Sequence, residues 1–167
     1  MILAVVLFLP LAGCLLIALA PRDSKAPLYT AFAASIAAFF ASLGLIAPAI
    51  AQGAHFTSVI DWPWIDTVGM QIRFHLGVDG ISLWLILLTT LLLPIAVWMT
   101  GRMVSERQKD FCALLLLFEF GLIGVFSALD LFVFYIFWEV ALVPMYLLVG
   151  SWGGARRGPV AVKFFVY

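Results

Sequence analysis

Five runs of apolar residues, each near the length a helix needs to cross about 30 Å of hydrocarbon, constrain this chain more than anything else in it. They cover 2 to 20, 28 to 51, 80 to 101, 111 to 129 and 131 to 150. Lipid offers no partner to an open backbone, so such runs fold as helices that satisfy their own donors and acceptors. A sixth run starts near Val160 and stops at Tyr167, before it can span anything. It reads as a span cut short, in the N-terminal portion of a longer membrane protein. The first run carries no Lys or Arg ahead of it and reads as a retained span, not a signal peptide. Of the 167 residues, 65% are apolar and 11% charged, against about 45–50% and 25% in soluble domains, which excludes a water-soluble fold. Nine basic residues balance nine acidic ones, so no basic field is available to attract nucleic acid. The expected fold is all-α: one polytopic transmembrane helix bundle over 1–167, with five complete spans, a truncated sixth and a small external β-hairpin in 52–79.

Orientation follows from the basic residues of the short loops. Arg22 and Lys25 lie in the first connection, Arg102, Arg107 and Lys109 in the third, and Arg156 and Arg157 in the last. The long loop 52–79 has only Arg73, and the fourth connection, at Asp130, has none. Five spans put the first seven on one side, so the expected N-terminus is external and the basic loops are cytoplasmic.

The external loop alternates in its second half: Met70, Ile72, Phe74, Leu76 and Val78 are apolar, with Gln71, Arg73, His75 and Gly77 between them. That is a strand pattern. Thr57 to Trp64 is a weaker strand candidate, and Asp66 with Gly69 supplies turn residues, so a hairpin on the membrane surface is expected. Trp62 and Trp64 suit the interface. His55 and His75 share the loop, but two histidines without a Cys or carboxylate cluster make a poor metal site and read as solvated or packing residues. Asp79, between strand and third span, reads first as a helix cap and second as part of an entry or exit path.

Chemistry is concentrated inside the spans. Glu139 is the ninth of twenty residues in 131–150, and Glu119 the ninth of nineteen in 111–129. A charge at such depth costs about 2.5–3.5 kcal/mol on insertion scales, so such residues face a bundle interior or wet cavity and mark ion or proton paths. A lone Glu also serves as a hydrogen-bonding group between helices, and for Glu119 the two readings stand level. Tyr135, four residues before Glu139, and Tyr146, seven after, share its helical face and are candidate relay groups. Pro144 frees the carbonyl of Val140 within a turn of Glu139, and Pro94 frees that of Thr90, beside the hydroxyls of Thr89 and Thr90. Gly121, Gly124 and Ala128 give a small face for close helix contact. Lys163 is the fourth residue of the unfinished run, able to snorkel at the cytoplasmic edge, and a relay cation only if its helix begins earlier. Cys14 and Cys112 read as small apolar residues in helix contacts. No phosphate-cradling Gly loop and no haem, flavin or iron–sulfur ligand set is present, so no cofactor or metal is expected in this chain.

The stretch ALDLFVFYIFWEVALVPMYLLVGSWGG, from Ala128 to Gly154, with Arg156, Arg157 and the KFFVY of Lys163 to Tyr167, resembles the M-type antiporter-like subunit of NADH-quinone oxidoreductase, respiratory complex I. FHLGVDGISL, from Phe74 to Leu83, resembles the segment leading into that family's third helix. The FWE ending at Glu139, with the PMY of Pro144 to Tyr146, favours the M type over its L-type and N-type relatives. The resemblance implies an all-helical bundle of inverted repeats without a redox cofactor of its own. NADH, flavin, iron–sulfur clusters and quinone would belong to partner subunits, and L-type and N-type subunits and the bilayer would be its neighbours. It implies that Glu139 is an essential proton-transfer residue paired with a Lys on a later helix, beyond Tyr167. The expected function is proton translocation across a bacterial cell membrane, coupled to electron transfer from NADH to quinone elsewhere, with no catalysis by this fragment alone. Two other readings remain. One is a subunit of a multisubunit cation/proton antiporter or membrane-bound hydrogenase. The other is an assembly subunit without an ion path, in which Glu139 and Glu119 tolerate Gln.

Overall fold

The computed structural model describes residues 1–21, 25–52, 55–67, 70–104, 106–154 and 157–166. Arg22, Gly69, Arg156 and Tyr167, which the sequence reading used, lie outside them. The elements in chain order are α1 (Ile2–Leu19), α2 (Ala26–Leu43), α3 (Ile46–Gln52), β1 (Thr57–Thr67), β2 (Met70–Val78), α4 (Gly80–Met103), α5 (Gln108–Ser127), α6 (Leu131–Trp152) and α7 (Arg157–Val166). Among the described residues five stretches are long and apolar enough to cross a membrane: α1, the run from Ala26 to Ala51, α4, α5 and α6.

The run expected as one helix over 28–51 is two helices. The backbone tightens at Gly44 and Leu45, whose N–H groups reach back only to Ala41 and Ser42. Pro48 explains the place, because it has no N–H to give the Gly44 carbonyl and its ring crowds that carbonyl. At the other end of α2, Pro27 sits in the first turn, where a missing N–H leaves nothing unpaired. The last helix, α7, starts at Arg157, three residues ahead of the expected Val160.

Polar side chains close several helix ends. Asp79 caps α4: its Oδ1 accepts from the N–H of Ile81 at 3.2 Å and of Ser82 at 2.7 Å, and its own N–H donates to Ser82 Oγ at 2.9 Å. The hydrogen bonds from Ser82, its backbone N–H first, hold the Asp79 carboxyl below the usual range. Asp130 caps α6 in the same way, accepting from Phe132 and Val133. The far end of α1 is closed by a neighbouring helix, with Lys109 Nζ donating to the carbonyls of Ala18 and Ala20. Trp152 at the end of α6 donates its Nε1–H to the main-chain carbonyl of Glu106, in the turn before α5, so α1, that turn with α5, and α6 are tied together on the basic side.

On the opposite side β1 and β2 form an antiparallel hairpin, with Thr57 paired to Val78 and Thr67 to Met70. β1 runs three residues beyond the expected Trp64. Pro63 is tolerated inside it because a two-stranded sheet has only edges, and the register shifts between Pro63 and Ile65. The alternation seen in the sequence sorts the faces: Ile72, Leu76 and Val78 are buried, whereas Arg73 is exposed and pairs with Asp61 at 2.7 and 2.8 Å. That bidentate contact holds the Asp61 carboxyl below its ordinary range. Trp62 and Trp64 stay exposed. The hairpin is anchored to the bundle by the Leu129 N–H, which donates to the His75 carbonyl at 2.9 Å, and by a bridge from Leu76 to Ala128.

Helix α5 packs against α1, α2, α4 and α6. In lipid there is little hydrophobic drive between helices, so close approach has to come from small residues. Gly121 lies so near α6 that a Cβ on it would sit 2.8 Å from the Ala141 nitrogen, and Gly124 is packed under the Phe137 ring. The buried apolar residues form two clusters at different depths. One lies toward the hairpin, around Leu3, Leu7, Leu83, Ile86 and Ile123; the other lies toward the basic side, around Ile17, Leu93, Val97, Cys112 and Leu116.

Candidate functional site

Glu139 is the ninth residue of α6, about 12 Å along the helix from its first residue. The face of α6 turned to α5 is made by Val133, Phe137, Ala141 and Pro144, all buried. Glu139 stands two residues from both Phe137 and Ala141, about 200° around the helix from each, so its side chain leaves α6 on the side away from α5. It is half-buried there. Tyr135, one turn earlier on the same face, is exposed and interacts with the Glu139 carboxyl group. Tyr146 is drawn toward α7, its ring 5.2 Å from that of Phe165.

Lys163 is not brought to Glu139. Gly150 faces Ala161 and Tyr146 faces Phe165, so α7 runs antiparallel to α6 with Lys163 opposite residue 148. Nine residues then separate it from the level of Glu139, about 13 Å at the helical rise. Lys163 is exposed.

Glu119 has the opposite setting. It is 0% exposed, and neither of its carboxyl oxygens has a hydrogen-bond partner among the described residues. It lies two residues from Gly121, so it points away from α6 into the space between α5 and helices α1, α2 and α4. The two carboxyls are therefore back to back across the α5–α6 pair. With Gly121 level with Ala141, Glu119 sits about 3 Å to the basic side of that contact and Glu139 about 3 Å to the hairpin side. The sequence showed their similar depth and not their opposite facing.

The structure also separates the remaining candidates. His55 is exposed, and His75 is half-buried and engaged through its main chain. Cys14 is half-buried and Cys112 buried, both in or against the apolar cluster on the basic side. Among the described residues no group of three or more His, Cys, Asp or Glu is placed to hold a metal. A buried side-chain contact that the sequence reading lacked joins two helices: Ser42 Oγ and Thr90 Oγ1 meet at 2.9 Å. Ser42 was findable as a hydroxyl inside an apolar run.

Five membrane-crossing stretches among the described residues, with two carboxyls near mid-depth, one sealed in the bundle and one on its flank, define an integral membrane helix bundle that holds intramembrane acid groups. Residues 128–167 match the family described as NADH:quinone oxidoreductase/Mrp antiporter, TM, and the match begins at Ala128, where the FWE-containing stretch begins. NADH-quinone oxidoreductase subunit M of Rickettsia bellii is 36% identical over 99% of this chain and 34% of its own length. F(420)H(2) dehydrogenase subunit M of Methanosarcina mazei is 42% identical over 62% of this chain and 21% of its length. A chain in the structure of respiratory complex I from Thermus thermophilus with bound NADH superposes with a TM-score of 0.81 at 26% identity, over 100% of this chain and 32% of that one. The chain is thus similar to the NADH:quinone oxidoreductase/Mrp antiporter transmembrane family over 128–167 and, over nearly all of its length, to M-type subunits of NADH-quinone oxidoreductases. It spans about a third of the length of the first of those relatives.

Proposed function

We propose that this chain is part of a membrane subunit that moves protons across a bacterial cell membrane, coupled to electron transfer from NADH to quinone in partner subunits. The observation that carries the reading is Glu139, an acid near mid-depth in the family-matched segment that leaves α6 away from the packed core. Such a carboxyl is too expensive to keep in hydrocarbon for packing alone, and it has an open side from which to exchange a proton. Flavin, iron–sulfur clusters, NADH and quinone would reside in partner subunits, and L-type and N-type subunits would flank this one. The Methanosarcina relative belongs to an F(420)H(2) dehydrogenase, so the electron donor is set outside this subunit; the similarity to M subunits of NADH-quinone oxidoreductases favours NADH.

Inverted membrane vesicles from cells lacking the complete subunit test this directly. They are expected to lose NADH-driven internal acidification and most NADH–quinone activity, while NADH oxidation by an artificial acceptor persists and the restored gene recovers the rest. Vesicles that keep coupled acidification but lose sodium/proton exchange would instead assign the chain to a cation/proton antiporter.

The proposed orientation places the N-terminus and hairpin outside and the basic loops in the cytoplasm. Reporters fused in 103–109 and 152–157 of the full subunit are expected to read as cytoplasmic, and one in 55–67 as external. A hairpin reporter that reads as cytoplasmic inverts the whole arrangement.

A further inference from the structure

Between the two apolar clusters the bundle holds a layer of a different kind. On α4 the clusters end at Leu87 and resume at Leu93, and the buried residues between include Thr89 and Thr90. On α2, Ser35 and Ser42 lie between Ala31 of one cluster and Leu45 of the other, again fully buried. On α1 the gap from Leu7 to Ile17 contains the buried Pro10 and Gly13. On α5 it falls between Leu116 and Ile123, and Glu119 occupies it. Hydroxyls, a proline-freed carbonyl at Thr90 and a carboxyl thus occupy the band between the two apolar clusters, about 10 Å deep from Ser35 to Ser42 at the helical rise. Ser42 and Thr90 satisfy each other across α2 and α4, whereas Glu119 is left without a partner among the described residues.

An interhelical Glu kept for structure makes hydrogen bonds, because those bonds offset the cost of burying it. Glu119 makes none. As a carboxylate it would carry an uncompensated charge in the interior, so the group sits there as the neutral acid. Among the described residues nothing packed around it offers a counter-ion. α1 and α2 carry no Asp, Glu, Lys, Arg or His, and the one such residue on α4, Arg102, is one residue from its end. Lys109 and Asp110 are in the first turn of α5, more than two turns away, and Cys112 lies in the apolar cluster. Tyr135, Glu139 and Tyr146 belong to α6, and Glu119 faces away from that helix.

We propose that Glu119 is a second proton-holding carboxyl of this chain, lodged in the hydroxyl layer between α1, α2, α4 and α5 and exchanging its proton independently of Glu139. The inference rests on the proposed function only where it touches pumping. The holding of the proton stands on the burial and isolation of the group.

The test is infrared difference spectroscopy of the full subunit in its assembled complex, transferred between H2O and D2O. A carboxylic-acid carbonyl band that shifts on deuteration is expected in the wild type. It should be lost in Glu119→Gln, displaced in Glu119→Asp and retained in Glu139→Gln. The isosteric Gln keeps the fold, and the Asp variant guards against a band lost through local rearrangement. A hydrophobic carbodiimide, which attacks protonated carboxyls, is expected to label the α5 peptide in wild type and in Glu139→Gln alike. An unchanged band in Glu119→Gln, or a Glu119 band that disappears when only Glu139 is replaced, overturns the proposal. Both readouts are independent of proton flux, so a wild-type complex that fails to pump would reject the proposed function and leave this inference to its own spectra.

Discussion

Replacement of Glu139 by Gln in the full subunit, within its assembled complex, is expected to lower proton pumping about tenfold or more, as loss of a proton-transfer group does. Gln keeps the size and hydrogen-bonding capacity of the side chain and removes only the proton, so the loss isolates titration from packing. Glu139→Asp shortens the side chain by one methylene but can still titrate, and is expected to keep part of the activity. The proposed function couples pumping to quinone reduction, so NADH-driven quinone reduction should slow in the Gln variant. NADH oxidation by an artificial acceptor should stay intact, since the proposed function puts the electron path in other subunits. The position of Glu139 supports the large effect. It faces away from α5, so a change there disturbs none of the α5–α6 contacts made by Phe137 and Ala141. A Gln variant that assembles and pumps at the wild-type ratio of protons to electrons would return Glu139 to a structural role.

What was legible in the sequence, and what was not, divides along a physical line. Span number came from length alone, because hydrocarbon thickness sets a minimum that each run meets. The hairpin was legible because one face of it is buried and the other wet, and an alternation of period two records that difference. The facing of the helices left no such record. Inside a bilayer both the lipid side and the core side of a helix are apolar, so Leu114 and Leu116 look alike in sequence although only Leu116 is fully buried. Glu119 and Glu139 were accordingly equal in depth and indistinguishable in direction. The break after Leu43 was hidden for the same reason: Gly44 and Pro48 sit in an uninterrupted apolar run, and in membrane helices neither residue alone announces an end. Lys109, which closes α1 from ninety residues away, had no local sign at all, because its acceptors are main-chain carbonyls. Asp130 did have one, an acid directly before an apolar run, and it is the cap that places Glu139 in the ninth position of α6.

Gly121→Leu is expected to remove the subunit from the complex. The contact it breaks is the one that sets α5 and α6 back to back. A Cβ at residue 121 would stand 2.8 Å from the Ala141 nitrogen and 2.9 Å from its Cα, and those are backbone atoms that cannot turn aside as a side chain can. The helices must separate. Overpacking of this kind costs about 1–3 kcal/mol even where side chains yield, and here it also opens the small-residue seam that supplies the attraction in lipid. Separation displaces Phe137 from Gly124 and shifts the level of Glu139 relative to Glu119, so pumping would fail together with assembly. Gly158→Leu is the matched control, because a Cβ there meets nothing within 4 Å among the described residues. Native gels and immunodetection of membranes should show the complex depleted in the Gly121 variant and near wild-type abundance in the Gly158 variant. Equal, normal amounts in both would mean that α5 and α6 are held by their other neighbours and that the glycine seam is incidental.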